Sequence, residues 1–126
     1  MTVHEAIATA ERLLPGTAAP DGERDPRWQA IIAVGEHIET HPEEVWMFAR
    51  RWGASPDKDL RMAVATCLLE HLLEHHFDLL IDRFESATRE GRLFADAVSR
   101  CWPFGQSADG RRAKRFARLV SRKPEA

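Results

Sequence analysis

The chain repeats itself. Shifting residues 26–38, PRWQAIIAVGEHI, by 34 positions lays them over residues 60–72, LRMAVATCLLEHL. Arg27 then falls on Arg61, Trp28 on Met62, Val34 on Leu68, Glu36 on Glu70, His37 on His71 and Ile38 on Leu72. A second shift of 34 brings residues 95–102, ADAVSRCW, into the same apolar register. Ala30, Val64 and Val98 coincide, as do Ala33, Cys67 and Cys101, and then Val34, Leu68 and Trp102. The third copy has lost the arginine and the Glu-His pair. A fixed period of this length marks helix-pair units that cannot cover their apolar faces alone and must stack. Three units are about the minimum for stability, and three are present. One domain over residues 1–126 is expected, with a repeat core at about 21–105 and the first and last helices as caps.

The local signals agree with an all-α fold. β-branched residues are sparse, Tyr is absent, and no alternating stretch is bounded by turn residues. A first helix is expected over Thr2–Leu14, ended by Pro15-Gly16. After a Pro- and Gly-rich loop, Asp25 can cap a second helix that opens on Pro26 and runs to about Thr40. His41-Pro42 breaks it, and a third helix runs from Pro42 to Trp52. A fourth covers about Pro56 to His75 or His76, followed by helices over Phe77–Arg89, Arg92–Trp102 and Arg111–Arg122.

The second helix of each unit begins with an acidic turn, then an arginine, then small and aliphatic residues: DPRWQAIIAVGEH and DKDLRMAVATCLLEH. In this the chain resembles HEAT and armadillo-type repeat proteins. The resemblance implies a right-handed α-α superhelix and a binding scaffold. It also implies a ladder in which an Asp six residues before each Arg joins neighbouring units. Asp21 holds that place before Arg27, and Ser55 before Arg61, where Asp57 or Asp59 would have to substitute. The period matches tetratricopeptide length, but the Trp, Leu-Gly and Tyr pattern of those repeats is absent.

Composition narrows the classes of function. No run is long enough for a membrane span, and the N-terminus lacks the basic head and apolar core of a secretory signal. Two cysteines without a framework suit a reducing compartment, so a cytoplasmic location is expected. The net charge of −2 is uneven: residues 1–110 carry −8 and residues 111–126 carry +6. A basic tail folded onto its own acidic body is the expected arrangement.

Residues 70–77, EHLLEHHF, contain His71-Leu-Leu-Glu74-His75, which resembles the H-x-x-E-H zinc signature of inverzincin peptidases. A third ligand is required, and His37, on an equivalent helix about 8–10 Å away, would not converge with His71. On a wheel of about 100° per residue, His71 and His75 fall inside the apolar arc, and Glu70 and Glu74 on the polar strip. The expectation is therefore structural histidines, no metal and no other cofactor. Arg61 also falls inside the arc and calls for a carboxylate, with Asp57, Asp59 and Glu85 as candidates. Cys67 and Cys101 are expected as buried thiols.

The expected function is non-catalytic: recognition of a protein partner on an acidic face made by second helices, presenting Gln29, Glu36, Glu70 and Glu74. Trp46, Arg50, Arg51 and Trp52 form a further candidate hot spot, since Trp and Arg dominate such spots. The alternative is nucleic-acid binding through Arg111, Arg112, Lys114, Arg115 and Arg118 of the basic helix. HEAT-like alkylpurine DNA glycosylases place an aromatic and a carboxylate one turn apart, and none of the four tryptophans has such a partner. Zinc hydrolysis at His71 and His75 is the third reading.

Overall fold

A computed structural model of the protein describes residues 1–122. Among them it is helical and without strands. Helix α1, Val3–Leu13, starts on a capping box: Thr2 Oγ1 accepts the Glu5 N–H at 3.1 Å, and Glu5 Oε1 accepts the Thr2 N–H at 3.2 Å. Helix α2, Pro26–Gly35, starts as expected, with the Asp25 carboxylate accepting from the Arg27 N–H and Pro26 in the first turn. It ends earlier than expected, because residues 36–40 continue only as turns. Helix α3 is Pro42–Trp52. Helix α4, Lys58–Val64, begins two residues after Pro56 because the Asp57 carboxylate takes the orphan N–H groups of Asp59 and Leu60.

The fourth sequence helix is not a plain α-helix. After α4 comes a π turn, Ala65–Leu69, and then α5, Glu70–Glu90. The Thr66 hydroxyl donates back to the Met62 carbonyl at 2.9 Å, a bond that competes with the helical ladder and bends it. The Glu70 N–H reaches Ala65 O, the widened bond of a π turn, and the Cys101 thiol lies 3.8 Å from the same carbonyl. The expected break at His76 is present, with φ −136° and ψ 45°. Gln106 bridges it from outside: its side-chain carbonyl accepts the Phe77 N–H at 2.9 Å and its amide donates to His75 O at 3.0 Å. Helix α6, Arg92–Val98, stops short of Trp102, a 3₁₀ turn covers Gly105–Ala108, and α7 is Gly110–Ser121.

The helices form two layers. Helices α1, α3 and α5 touch in series, and α2, α4 and α6 touch in series beside them. The π turn sits at the centre, in contact with α2, α3 and α6. Its flanks carry the deepest core, with Leu68, Leu69, Leu72, Leu73, Leu80 and Phe84 fully buried. Trp46, Phe84 and Phe94 form an aromatic cluster, with ring centroids 4.8 Å apart for Trp46–Phe84 and 5.9 Å for Trp46–Phe94.

Two buried arginines join successive pairs of helices. Arg27 binds Asp57 at 3.0 Å and Asp59 at 2.7 Å, besides Asp25 and the Pro15 carbonyl. Arg61 binds Asp96 at 3.1 Å and the carbonyls of Ser55 and Pro56. Two expectations are corrected here. Asp21 is exposed and takes no part in binding Arg27. The carboxylate for Arg61 is neither Asp57, Asp59 nor Glu85: each guanidinium reaches forward to the next pair, so Asp57 and Asp59 serve Arg27 of the pair before.

Helix α7 packs on α5 and α6 by burying Phe116 and Leu119. Arg112 pairs with Asp78 at 2.6 Å, and Arg115 with Asp82 and with Glu85 at 2.6 Å. The described part of the basic tail thus lies on the acidic body, as expected. Lys123, its last cation, lies outside the described residues, as does the end of the expected domain at residue 126. No helix among the described residues is long and apolar enough to cross a membrane.

Candidate functional site

The π turn rewrites the helical wheel. One residue inserted into the turn retards every later residue by one position, about 100°. Glu70 then takes the direction a wheel assigns to Leu69, and His71 and His75 take those of Glu70 and Glu74. The structure agrees: the Glu70 side chain is 5% exposed, against 37% for His71 and 38% for His75. The placement of the two histidines in the apolar arc, and of Glu70 on the partner-facing strip, is corrected for this reason.

The histidines line a groove of about 530 Å³ between α2 and the π turn. Its apolar lining comes from Ile32, Gly35, Ile38 and Cys67, and Glu36 and Glu39 stand beside His71 and His75 at its edge. Gly35 keeps the helices close, since a Cβ there would sit 3.1 Å from the Cys67 carbonyl. His71 Nδ1 lies 2.7 Å from Glu74 Oε1, and His75 lies 3.5 Å from the same oxygen and 3.4 Å from Glu39. Phe104 stacks on the His71 ring, with centroids 5.4 Å apart. His76 is turned away and bonds the Ile38 carbonyl through Nε2 at 2.9 Å, so that nitrogen carries a proton.

Glu70 is the unusual group. Its Oε1 is buried without a hydrogen-bond partner, the Trp102 main-chain N–H faces its carboxylate, and His71 Nε2 is 3.9 Å from Oε2. Burial raises its pKa. Folding therefore favours the protonated form. The resulting cost is absent at pH values below the ordinary carboxylate range, grows as pH rises from that range toward the raised folded pKa, and is fully present above it. Glu70→Gln is expected to be more stable than wild type at pH 7, with the advantage shrinking as pH falls toward 4. Urea unfolding at both pH values reads this, and a variant less stable at pH 7 would contradict it.

The remaining candidates separate. Trp46 is 8% exposed, so its place in the hot spot is corrected: it packs against Phe84 and Phe94 and offers no surface to a partner. Trp52 is partly buried, Arg51 lies over its ring, and Arg50 lies over Phe94 and pairs with Glu90. All four belong to α3, in the layer away from the groove. Gln29 lies nearer the start of α2, bonded to Arg24, in a second apolar groove with Leu13 and Ala33. Of the basic-helix candidates, Arg112 and Arg115 are tied to the body, and Arg111, Lys114 and Arg118 are exposed.

Among the described residues no three His, Cys, Asp or Glu side chains are arranged to hold a metal ion, His71 and His75 included. Burial and the nearby Glu70 raise the pKa of Cys67, the opposite of what an attacking thiolate needs. Sequence reasoning missed Ile32, Glu39, Trp102 and Phe104. Ile32, Trp102 and Phe104 are among the large apolar side chains left exposed, at 44%, 68% and 42%. The only signal for the last two was Pro103, which ends the helix between them. Comparison of the chain with protein-family models, curated proteins and solved structures finds no match.

Proposed function

We propose that this protein is a non-catalytic helical-repeat module that binds a basic amphipathic segment of a protein partner in the groove between α2 and the π turn. The observation that carries this is the groove itself: an apolar lining of Ile32, Ile38 and Cys67 bordered by Glu36 and Glu39, with Glu74 behind His71. An apolar stripe on the partner would cover Ile32 and Phe104, and its cations would meet the glutamates, which selects against acidic partners. The stacking of helix pairs in two layers, joined by Arg27 and Arg61, supports a HEAT-like superhelix as the scaffold.

Binding of a fluorescein-labelled amphipathic Leu/Lys peptide of 18 residues tests the reading. Wild type is expected to bind, and Glu36→Lys/Glu39→Lys to bind more weakly by about 10-fold or more, with affinity falling as salt rises. Equal binding by the charge-reversed variant would refute it. A salt-sensitive complex with an oligonucleotide, lost on Arg111→Glu/Lys114→Glu/Arg118→Glu, would favour the basic helix instead.

A further inference from the structure

We propose that His71 and His75 make the groove a proton-controlled site: their protonation weakens its hold on a basic segment, so that a partner held in mildly alkaline solution is released in mildly acidic solution. The inference rests on the groove's being the binding site and adds how that site is regulated.

The cluster is compact. Glu74 Oε1 lies between the two rings, 2.7 Å from His71 Nδ1 and 3.5 Å from His75 Nε2. The remaining nitrogen of His75, Nδ1, is 3.4 Å from Glu39 Oε1, and that of His71, Nε2, is 3.9 Å from Glu70 Oε2. Every nitrogen of the two rings therefore faces a carboxylate. The sequence builds this in two steps. His71 and His75 stand one turn apart on α5 with Glu74 beside both, and the π turn ahead of them brings the rings to the groove. Glu39 then arrives from the turns that follow α2. Both rings are partly open to water, so protons reach them directly.

Histidine is the side chain that ordinarily changes charge between pH 5 and 8. A neutral ring lends a carboxylate at most one hydrogen bond and leaves its charge for the partner's cations. Two imidazoliums cancel two of the three negative charges that Glu36, Glu39 and Glu74 present, and they do so at the same oxygens the partner would use. Protons and the basic segment thus compete for one set of acids, and by linkage each expels the other.

The groups facing the rings support this direction. Glu36 and Glu39 come from α2 and the turns after it, and Glu70 and Glu74 from α5. Cys67 comes from the π turn, and burial pushes its thiol up, so it stays uncharged. Phe104 and Gln106, which follow α6, carry no charge. Glu70 is buried behind His71, and burial raises its pKa, so a separate variant assigns its share. The other nearby histidines lie outside the groove lining: His76 is bonded to the Ile38 carbonyl, and His37 packs on His41.

The test measures binding of the labelled Leu/Lys peptide at about pH 8 and about pH 5.5, at constant low salt. Lysine stays charged at both, so the peptide does not change. Wild type is expected to bind about 10-fold more tightly at the higher pH. That ratio is expected to fall below about 2-fold in His71→Gln/His75→Gln and to persist in Glu70→Gln and in His37→Gln/His41→Gln. Circular dichroism checks the folding of each variant. Proton spectra of the wild-type imidazoles give a reading that needs no variant: saturating peptide is expected to move the titration midpoints of His71 and His75 to lower pH. Equal wild-type binding at the two pH values, a ratio kept in His71→Gln/His75→Gln, a ratio lost in Glu70→Gln, or midpoints that do not fall each overturn the proton control and leave the groove standing. Binding of the peptide by wild type at neither pH removes the groove reading and the proton control with it.

Discussion

Arg27→Ala is expected to lower the unfolding free energy by about 2–4 kcal/mol, a fall in Tm on the order of 10 °C for a domain of this size. The side chain is 4% exposed and is held by three carboxylates and a carbonyl from three stretches of chain. Removing one partner of a buried ion pair costs about 3–5 kcal/mol when the other is stranded. Asp57 and Asp59 are 33% and 46% exposed and can return to water, which lowers the figure; Asp25, 13% exposed, cannot do so fully. The natural control is Arg50→Ala. Arg50 pairs with Glu90, which is 67% exposed, and the change should cost within about 1 kcal/mol. Thermal unfolding of the two variants side by side reads the difference. Equal Tm values would mean that the buried arginine does not join the helix pairs.

Trp46→Ala should be as severe, at about 3–5 kcal/mol. The indole fills the space between Phe84 and Phe94, so its loss opens a cavity where α3 meets α5 and α6. Phe84 and Phe94 are fully buried and relax only partly, and the cavity cost adds to the lost transfer free energy. Urea unfolding should show a lower midpoint with an unchanged slope. A hot-spot role would instead leave stability alone and weaken a complex. A Trp46→Ala protein as stable as wild type would mean that the indole lies at the surface.

The sequence carried the all-helical class and the starts of its helices because those signals are local. Asp25-Pro26 and His41-Pro42 act within one turn of the backbone, and α2 and α3 begin at them. The buried arginines were legible as groups in need of acids, but the acids were not. Asp96 lies 35 residues from Arg61, and only the direction in which the guanidinium reaches selects it. The site was partly legible. Glu36, Glu74, His71 and His75 do gather at one place, but the directions of Glu70 and the two histidines were misread because a wheel assumes an unbroken α-helix. The approach of Gly35 to the Cys67 carbonyl and of the Cys101 thiol to the Ala65 carbonyl belongs to tertiary packing, and with the local bond from Thr66 to Met62 it accompanies the π turn that sends Glu70 inward and the histidines outward. Trp102 was expected to be buried because residues 95–102 share the apolar register, and the chain leaves the helix before reaching it; Phe104 was read only as part of a loop.

The most direct measurement is a ¹H–¹⁵N correlation spectrum of the uniformly labelled protein, titrated with the basic amphipathic peptide. The amides of Ile32, Gly35, Glu36, Glu39, Thr66, Cys67, His71 and His75, which line the groove, are predicted to shift together. Shifts confined to α3 or α7, with the groove amides unmoved, would contradict the account.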